Sequence, residues 1–339
     1  MAEFLKKFSA HTDYNTYINS GDAVLPNVSK CDNIGHVHYT DADSKVVLKT
    51  GQMIYIASSS FMNGIHEKSF IVDPPVTKDQ IRAMQFNGGS QIIFPEGKLV
   101  ELGDNAFYGC TGMTHIYIPE GVTRIGTWAF YDCINLIGVR FPSTLTEINY
   151  AAFDGTVRLA SINIPKNVTR IDPGAFDACQ SVKKVTVNGS NTVYSSSGNS
   201  IIEKATNTLI AGFNCTEIPS AVTSIADYAF RHLNGIKDIA LPNAVTSIGK
   251  NAFFSCTALR TVSIGSGITN IGDNAFSQGN ALESLTINAT TPPTIGTSII
   301  YRYKNPEDIK IYVPSGSVDT YKAAEGWSDY AAQIFAIEQ

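Results

Sequence analysis

The chain has 339 residues, of which 43% are hydrophobic and 16% are charged, so it can build a substantial core and lacks the composition of a disordered protein. Its formal net charge of -5 argues against a nucleic-acid or anionic-membrane partner, because binding to phosphate needs a basic face. The sequence contains no apolar run of about 18 residues, so membrane insertion is not expected.

Residues 1–88 lack the repeat that fills the rest of the chain. Lys6 and Lys7 are followed by no apolar stretch, so no secretory signal is predicted in the sequence as given. Residues 45–48 and 53–57 predict a β-hairpin. We therefore expect a small β-rich region here, which serves either as an N-terminal cap or as a module that attaches the protein to something larger.

From residue 106 onward an Ala-Phe pair recurs at a step of 23 residues, and one longer step of 54 residues shows that one repeat carries an insertion. Apolar triplets such as Leu159-Ile162-Ile164 keep the same step, and a proline ends many of them. One such unit cannot bury its triplet alone, whereas stacked units bury their triplets against each other. The pairs are Ala106-Phe107, Ala129-Phe130, Ala152-Phe153, Ala175-Phe176, Ala229-Phe230, Ala252-Phe253 and Ala275-Phe276.

The stretch from Leu159 to Cys179 follows the pattern L-x-x-I-x-I-P-x-x-V-T-x-I-G-x-x-A-F-x-x-C, except that Asp172 replaces the glycine. This pattern resembles the BspA-type leucine-rich-repeat family, and the resemblance covers roughly residues 90 to 335. It implies an α/β leucine-rich-repeat solenoid that is rich in β structure. Parallel strands are stacked one per 23-residue repeat, with short helical or irregular segments between them. We expect the solenoid over residues 89–339.

The insertion at residues 188–217 carries turn signals, and residues 201–203 and 208–210 predict a β-hairpin. Its role is open between a flap beside the sheet and a tolerated surface insertion.

Residues 289–339 are expected to cap the C-terminus, because repeat arrays need their last rung covered. Residues 318–324 predict a short helix. Trp327 and the apolar run 334–337 are the candidates to seal the rung.

Four of the six cysteines share one repeat position, three residues after the phenylalanine, where other repeats have Thr156, Leu233 or Gly279. Free thiols in the core are the leading interpretation, with disulfides between neighbouring rungs and a metal site as alternatives. The four are Cys110, Cys133, Cys179 and Cys256.

No nucleophile and base stand in a spacing that predicts catalysis. Ser181 and Lys184 match a Ser-x-x-Lys motif, but that motif needs a helix and here it falls on a predicted strand. We therefore expect no enzyme activity, no catalytic residues, no cofactor and no metal.

The outward face of the strands is the candidate binding surface. Tyrosine and arginine are enriched in binding hot spots. The candidate binding residues are Tyr117, Arg140, Asn163, Lys183 and Lys184. A partner that is acidic or bears glycans is expected there, and a solvated face without any ligand is the alternative.

The leading function is a non-catalytic binding protein, an adhesin-like monomer that recognises a protein or glycan through this face. Family members are typically bacterial or protozoan surface proteins, which implies a location at the cell surface or outside the cell. Two alternatives remain: a structural spacer or virion-associated part attached through residues 1–88, and an enzyme with its site at the insertion or in the N-terminal module.

Overall fold

The computed structural model describes residues 101–109, 114–118, 120–301 and 308–338 in full, and the backbone of five short strands between residues 28 and 93. The chain forms two compact units, Met1–Ala175 and Phe176–Gln339, and each is a β-solenoid of stacked turns. Among the described residues, no helix has the length and apolar character needed to cross a bilayer.

The first unit begins with two kinds of strand pairing. Strands β1 and β2 pair antiparallel, whereas β3, β4 and β5 lie side by side in parallel. The structure thus gives β3 a parallel partner where a hairpin was expected, and the second strand of that hairpin, 53–57, lies outside the described residues. The bounds are β1 Val28–Cys31, β2 Val37–Tyr39, β3 Val46–Val47, β4 Ser69–Ile71 and β5 Gln91–Ile93.

The repeats of the first unit alternate between a short and a longer strand. The short strands form one parallel ladder, and β7 and β9 extend the parallel ladder of β3, β4 and β5. This second ladder contains strands from both sides of the domain boundary expected near residue 88. A separate attachment role for residues 1–88 stays a prediction. The bounds are β6 Glu101–Leu102, β7 His115–Tyr117, β8 Arg124–Ile125, β9 Gly138–Arg140, β10 Glu147–Ile148, β11 Ser161–Ile164 and β12 Arg170–Ile171.

Strand pairing places equivalent repeat positions next to each other, for example Ile125 opposite Ile148. The phenylalanines of the Ala-Phe pairs therefore stack inside the solenoid. Ring centroids lie 4.9 Å apart for Phe130 and Phe153, and 4.8 Å apart for Phe230 and Phe253 in the second unit. These rings are almost fully buried, and within each unit they form the stacked core that the sequence predicts.

Each Ala-Phe pair sits in a tight turn that is closed by two residues with left-handed backbone. One lies two residues before the phenylalanine and the other two residues after it. Around Phe130 they are Trp128, with φ of 53°, and Asp132, also with φ of 53°. This geometry directs the chain sharply around the buried ring.

The second unit contains both ladders, an antiparallel segment and a helical C-terminus. Short strands β17, β19, β21 and β23 form one parallel ladder, and the longer strands β18, β20, β22, β24 and β25 form the other. The bounds are β13 Lys184–Val187, β14 Tyr194–Ser197, β15 Ser200–Glu203, β16 Thr208–Ala211, β17 Ser224–Ile225, β18 Asp238–Leu241, β19 Ser247–Ile248, β20 Thr261–Ile264, β21 Asn270–Ile271, β22 Ser284–Ile287, β23 Thr294–Ile295, β24 Lys310–Val313, α1 Val318–Ala323 and β25 Ile334–Ala336.

The insertion is part of the solenoid. Strands β14, β15 and β16 pair antiparallel, which confirms the expected hairpin, and β16 then pairs in parallel with β17. Ile201 and Leu209 are fully buried. Its apolar side chains are therefore buried as core and its last strand extends the short-strand ladder, while its role as a flap or as a tolerated insertion stays a prediction.

The C-terminal segment covers the last rung. Helix α1 confirms the helix expected at 318–324, and β25 pairs in parallel with β24. Trp327 is fully buried, and its Nε1 donates a hydrogen bond to the carbonyl oxygen of Pro293 at 2.8 Å. The run 334–337 was expected to seal the last rung, and Ile334 is buried as expected. Phe335 differs, because 44% of it is exposed.

Candidate functional site

The outward face of the longer strands is open to solvent. In β11 the burial alternates, with Ser161 and Asn163 exposed and Ile162 and Ile164 buried. This alternation follows from the two-residue period of a strand and confirms which residues point away from the core. The face can therefore be contacted by a partner without disturbing the packing.

Tyr117 and Arg140 form a direct pair on this face. They lie opposite each other in the pairing of β7 with β9, and the Arg140 guanidinium carbon is 4.6 Å from the centroid of the Tyr117 ring. Arg140 is exposed and Tyr117 is half-buried. A cation held over a ring is pre-oriented, so it can contact an anionic group with little further loss of side-chain freedom.

The other candidate binding residues lie in two places. Asn163 belongs to the same unit, where the Ala160 amide donates to the Ile137 carbonyl at 3.0 Å and so sets β11 beside β9. Lys183 and Lys184 are exposed at the start of β13 in the second unit. The structure therefore brings Tyr117 and Arg140 together, and the cooperation of the lysines with them stays a prediction.

Asp177 is a buried carboxylate in the second unit. Its side chain is 1% exposed, with Arg231 Nη1 at 3.3 Å and His232 Nδ1 at 3.5 Å. Burial raises the pKa of Asp177, and His232 and Arg231 act against that rise. Arg231 also lies over the Tyr228 ring, 5.3 Å from its centroid. These contacts describe an internal ion-pair cluster.

The cysteines of the repeat position behave as core residues. Cys133, Cys179 and Cys256 are buried free thiols, which confirms the leading interpretation for these three. Burial raises the pKa of Cys256 to about 12, so its thiol stays protonated at neutral pH and is no activated nucleophile. Cys215 is exposed, and the side chains of Cys31 and Cys110 lie outside the described residues.

A second exposed feature of the first unit lies on the Ala-Phe turns. Tyr108 stacks on Tyr131 with centroids 4.9 Å apart, and Trp128 meets Tyr150 edge-on at 6.4 Å. Exposure reaches 49% for Tyr108 and 41% for Trp128. We call Tyr108, Trp128, Tyr131 and Tyr150 the aromatic cluster.

Sequence reasoning missed the aromatic cluster, although the repeat alignment carries a signal for it. The position of Trp128 holds Asn105 in the preceding repeat and Ala151 in the following one. Trp128 thus stands between two small residues at this position, and a second aromatic residue, Tyr228, holds it in the second unit.

The repeat positions, the paired ladders and the stacked phenylalanines together match one family model, described as the BspA type leucine-rich repeat region. It matches residues 100–207 and 210–321 with 6 copies. The chain belongs to the BspA-type leucine-rich-repeat family. No curated protein matches its sequence.

Solved structures with the same fold accompany this family match. A leucine-rich cell surface protein from Faecalibacterium prausnitzii is 20% identical, with a TM-score of 0.56 over 93% of this chain and 95% of that chain. The pneumococcal vaccine antigen PcpA is 18% identical, with a TM-score of 0.56 over 92% of this chain and 96% of that chain. At this level of identity the likeness establishes the fold.

Proposed function

We propose that this chain is a non-catalytic binding protein displayed at a bacterial surface, where it recognises a partner protein through the strand face of its first unit. The observation that supports this most directly is the pairing of the exposed Arg140 with the half-buried Tyr117. The surface location rests on the resemblance to proteins described as a cell surface protein and a vaccine antigen.

The chemistry of the strand face favours an acidic segment on the partner. Arg140 offers a planar set of donors that matches a carboxylate, and Tyr117 holds it in place. Asn163 adds an amide on the same unit. An adhesin-like role follows if the partner belongs to a host or to another cell.

Binding of the purified chain to a panel of extracellular-matrix and cell-surface proteins, followed by biolayer interferometry, tests this function. Arg140→Ala is expected to weaken binding roughly thirtyfold, because truncating a hot-spot residue costs about 2 kcal/mol or more. Tyr117→Ala is expected to weaken it less.

Arg158→Ala is the matched control, since Arg158 is exposed in the same unit but lies outside the longer strands. Its affinity is expected to equal that of the unchanged chain. A saturable partner whose affinity is untouched by Arg140→Ala, or the absence of any protein partner, would overturn the proposal.

A further inference from the structure

The sequence contains four Asn-Gly pairs, at residues 63–64, 87–88, 188–189 and 234–235. The first two lie outside the described residues, and the other two belong to the second unit. The side-chain amide of an asparagine is open to attack by the next backbone nitrogen, and a glycine at that place has no Cβ to hinder the approach. The structure gives the two described pairs opposite surroundings.

The pair Asn188-Gly189 lies in the turn that follows β13 and starts the insertion. The Asn191 amide donates to the Asn188 carbonyl at 2.8 Å, which closes the turn. Asn188, Gly189 and Ser190 are all exposed. Within the part of the chain that the structure describes, the Gly189 amide donates no hydrogen bond. Its nitrogen is therefore available for attack on the side chain before it.

The side-chain oxygen of Asn188 already has a hydrogen-bond donor. The Ser190 amide donates to Asn188 Oδ1 at 3.0 Å. Attack of the Gly189 nitrogen on Cγ places negative charge on this oxygen, and a backbone N–H directed at an oxygen that gains charge lowers the barrier. One turn thus supplies the free nucleophile and the donor for the charge that develops.

The pair Asn234-Gly235 is held on every side. The Gly235 amide donates to Asn214 Oδ1 at 2.9 Å, and the Asn234 amide donates to Gln180 Oε1 at 2.9 Å. The Thr257 hydroxyl donates to Asn234 Oδ1 at 2.8 Å. The nucleophile is engaged and the side chain is fixed, so attack there requires local opening of the structure.

We propose that Asn188 is a site of spontaneous deamidation, with the Gly189 nitrogen as nucleophile and water as the second reactant. The Gly189 nitrogen bonds to Cγ of Asn188, and its proton passes through solvent to the side-chain nitrogen, which leaves as ammonia. The product is a cyclic succinimide. Water then opens the ring at one of its two carbonyl groups, which gives aspartate or isoaspartate.

Deamidation changes the charge and the path of the chain at the start of the insertion. Either product adds one negative charge to the turn. In isoaspartate the chain continues through the former side chain, so the carbonyl that accepts from the Asn191 amide becomes part of a carboxylate. Asn191 Oδ1 in turn accepts hydrogen bonds from the Val193 and Tyr194 amides at 2.9 and 2.7 Å. Isoaspartate is therefore expected to loosen the entry into β14.

Peptide mapping of the folded chain measures the reaction at both pairs. The protein is incubated in mildly alkaline heavy-oxygen water and digested, and the peptides with Asn188 and Asn234 are separated and analysed by mass spectrometry. Asn188 is expected to convert at least about tenfold faster than Asn234, since at Asn234 a hydrogen bond of the attacking amide must open first. Both products are expected to carry heavy oxygen. In the chain unfolded with urea, the two rates are expected to converge.

Two variants test the nucleophile and its protection. A Cβ at Gly189 would meet no atom within 4 Å, so Gly189→Ala leaves the fold unchanged and is expected to slow conversion of Asn188 roughly tenfold. Asn214→Ala is the converse, because it frees the Gly235 amide and is expected to speed conversion of Asn234 alone. Circular dichroism checks that both variants are folded.

Equal rates at the two pairs in the folded chain contradict the proposal, as does an Asn188 that stays unconverted or a rate that Gly189→Ala leaves unchanged. An Asn234 that stays slow in folded Asn214→Ala refutes the structural contrast on which the proposal rests. The site uses neither Tyr117 nor Arg140, so these results are independent of the strand-face proposal.

Discussion

Opposing effects act on Asp177, a buried carboxylate of the second unit. Burial disfavours its ionised form, while Arg231 and His232 favour it, and the net result is a raised pKa. A carboxyl with a raised pKa in the folded state binds its proton more readily there than in the unfolded chain. Its contribution to stability is therefore greatest at low pH and is lost as the pH rises through the folded pKa.

This linkage gives a pH-dependent prediction. Relative to Asp177→Asn, the unchanged chain is expected to gain unfolding free energy as the pH falls from neutral toward the ordinary aspartate pKa of about 3.9. Denaturant unfolding of both proteins at a series of pH values measures the difference. A difference that stays constant with pH, or that changes in the opposite direction, contradicts the raised pKa.

In three repeats, an aspartate and a glycine of the next rung fit together. The Asp227 carboxylate accepts a hydrogen bond from the Lys250 amide at 2.7 Å. A Cβ added at Gly249 would lie 2.4 Å from the Asp227 backbone nitrogen. The glycine therefore allows the close approach that lets the aspartate hold the neighbouring turn. Asp104 with Gly126, and Asp273 with Gly296, repeat this arrangement.

Gly249→Ala is accordingly expected to lower the unfolding free energy by about 1–3 kcal/mol, the usual cost of overpacking. Asn149→Ala is its control, because the same repeat position in the first unit already carries a Cβ there. Urea unfolding monitored by circular dichroism measures both. An unchanged midpoint for Gly249→Ala would show that the rung spacing adjusts freely.

At the scale of whole units, stability in a repeat structure comes from each rung and its neighbours. The buried thiols can be used to measure the opening of individual rungs, because Cys133 lies in the first unit and Cys256 in the second. Both thiols donate a hydrogen bond to a carbonyl of an adjacent rung at 3.0 Å. A thiol reagent reaches them only when the surrounding rungs open.

In a chain carrying Cys31→Ser and Cys110→Thr, we expect fast modification at Cys215 alone. Cys133, Cys179 and Cys256 are expected to react only as denaturant opens the structure, with each site read by mass spectrometry. Rapid labelling of Cys133 or Cys256 in native buffer would mean that these rungs open readily, contrary to their complete burial.

The 23-residue period was sufficient to predict the parallel ladders, the phenylalanine core and the buried thiols, because each of these repeats with the chain. The parallel strands β3 and β4 were missed even though they begin 23 residues apart, since no Ala-Phe pair accompanies them. The parallel pairing of β16 with β17 joins strands that are distant in the sequence, so the local pattern of residues could not predict it.

For binding, the strand alternation correctly placed Arg140 and Asn163 on the outside. The left-handed backbone at Trp128 could not be predicted from the sequence, because a tryptophan does not indicate a positive φ.

The one-repeat register of the strands determines how the array can gain or lose repeats during evolution. Ile239, Val262 and Leu285 lie side by side in successive strands, so these repeats enter and leave the ladder at the same point. Duplication or loss of one whole repeat within the reading frame would lengthen or shorten the array by one rung and leave every other pairing as it was. A lineage can therefore vary the number of outward-facing positions while its buried positions keep their partners.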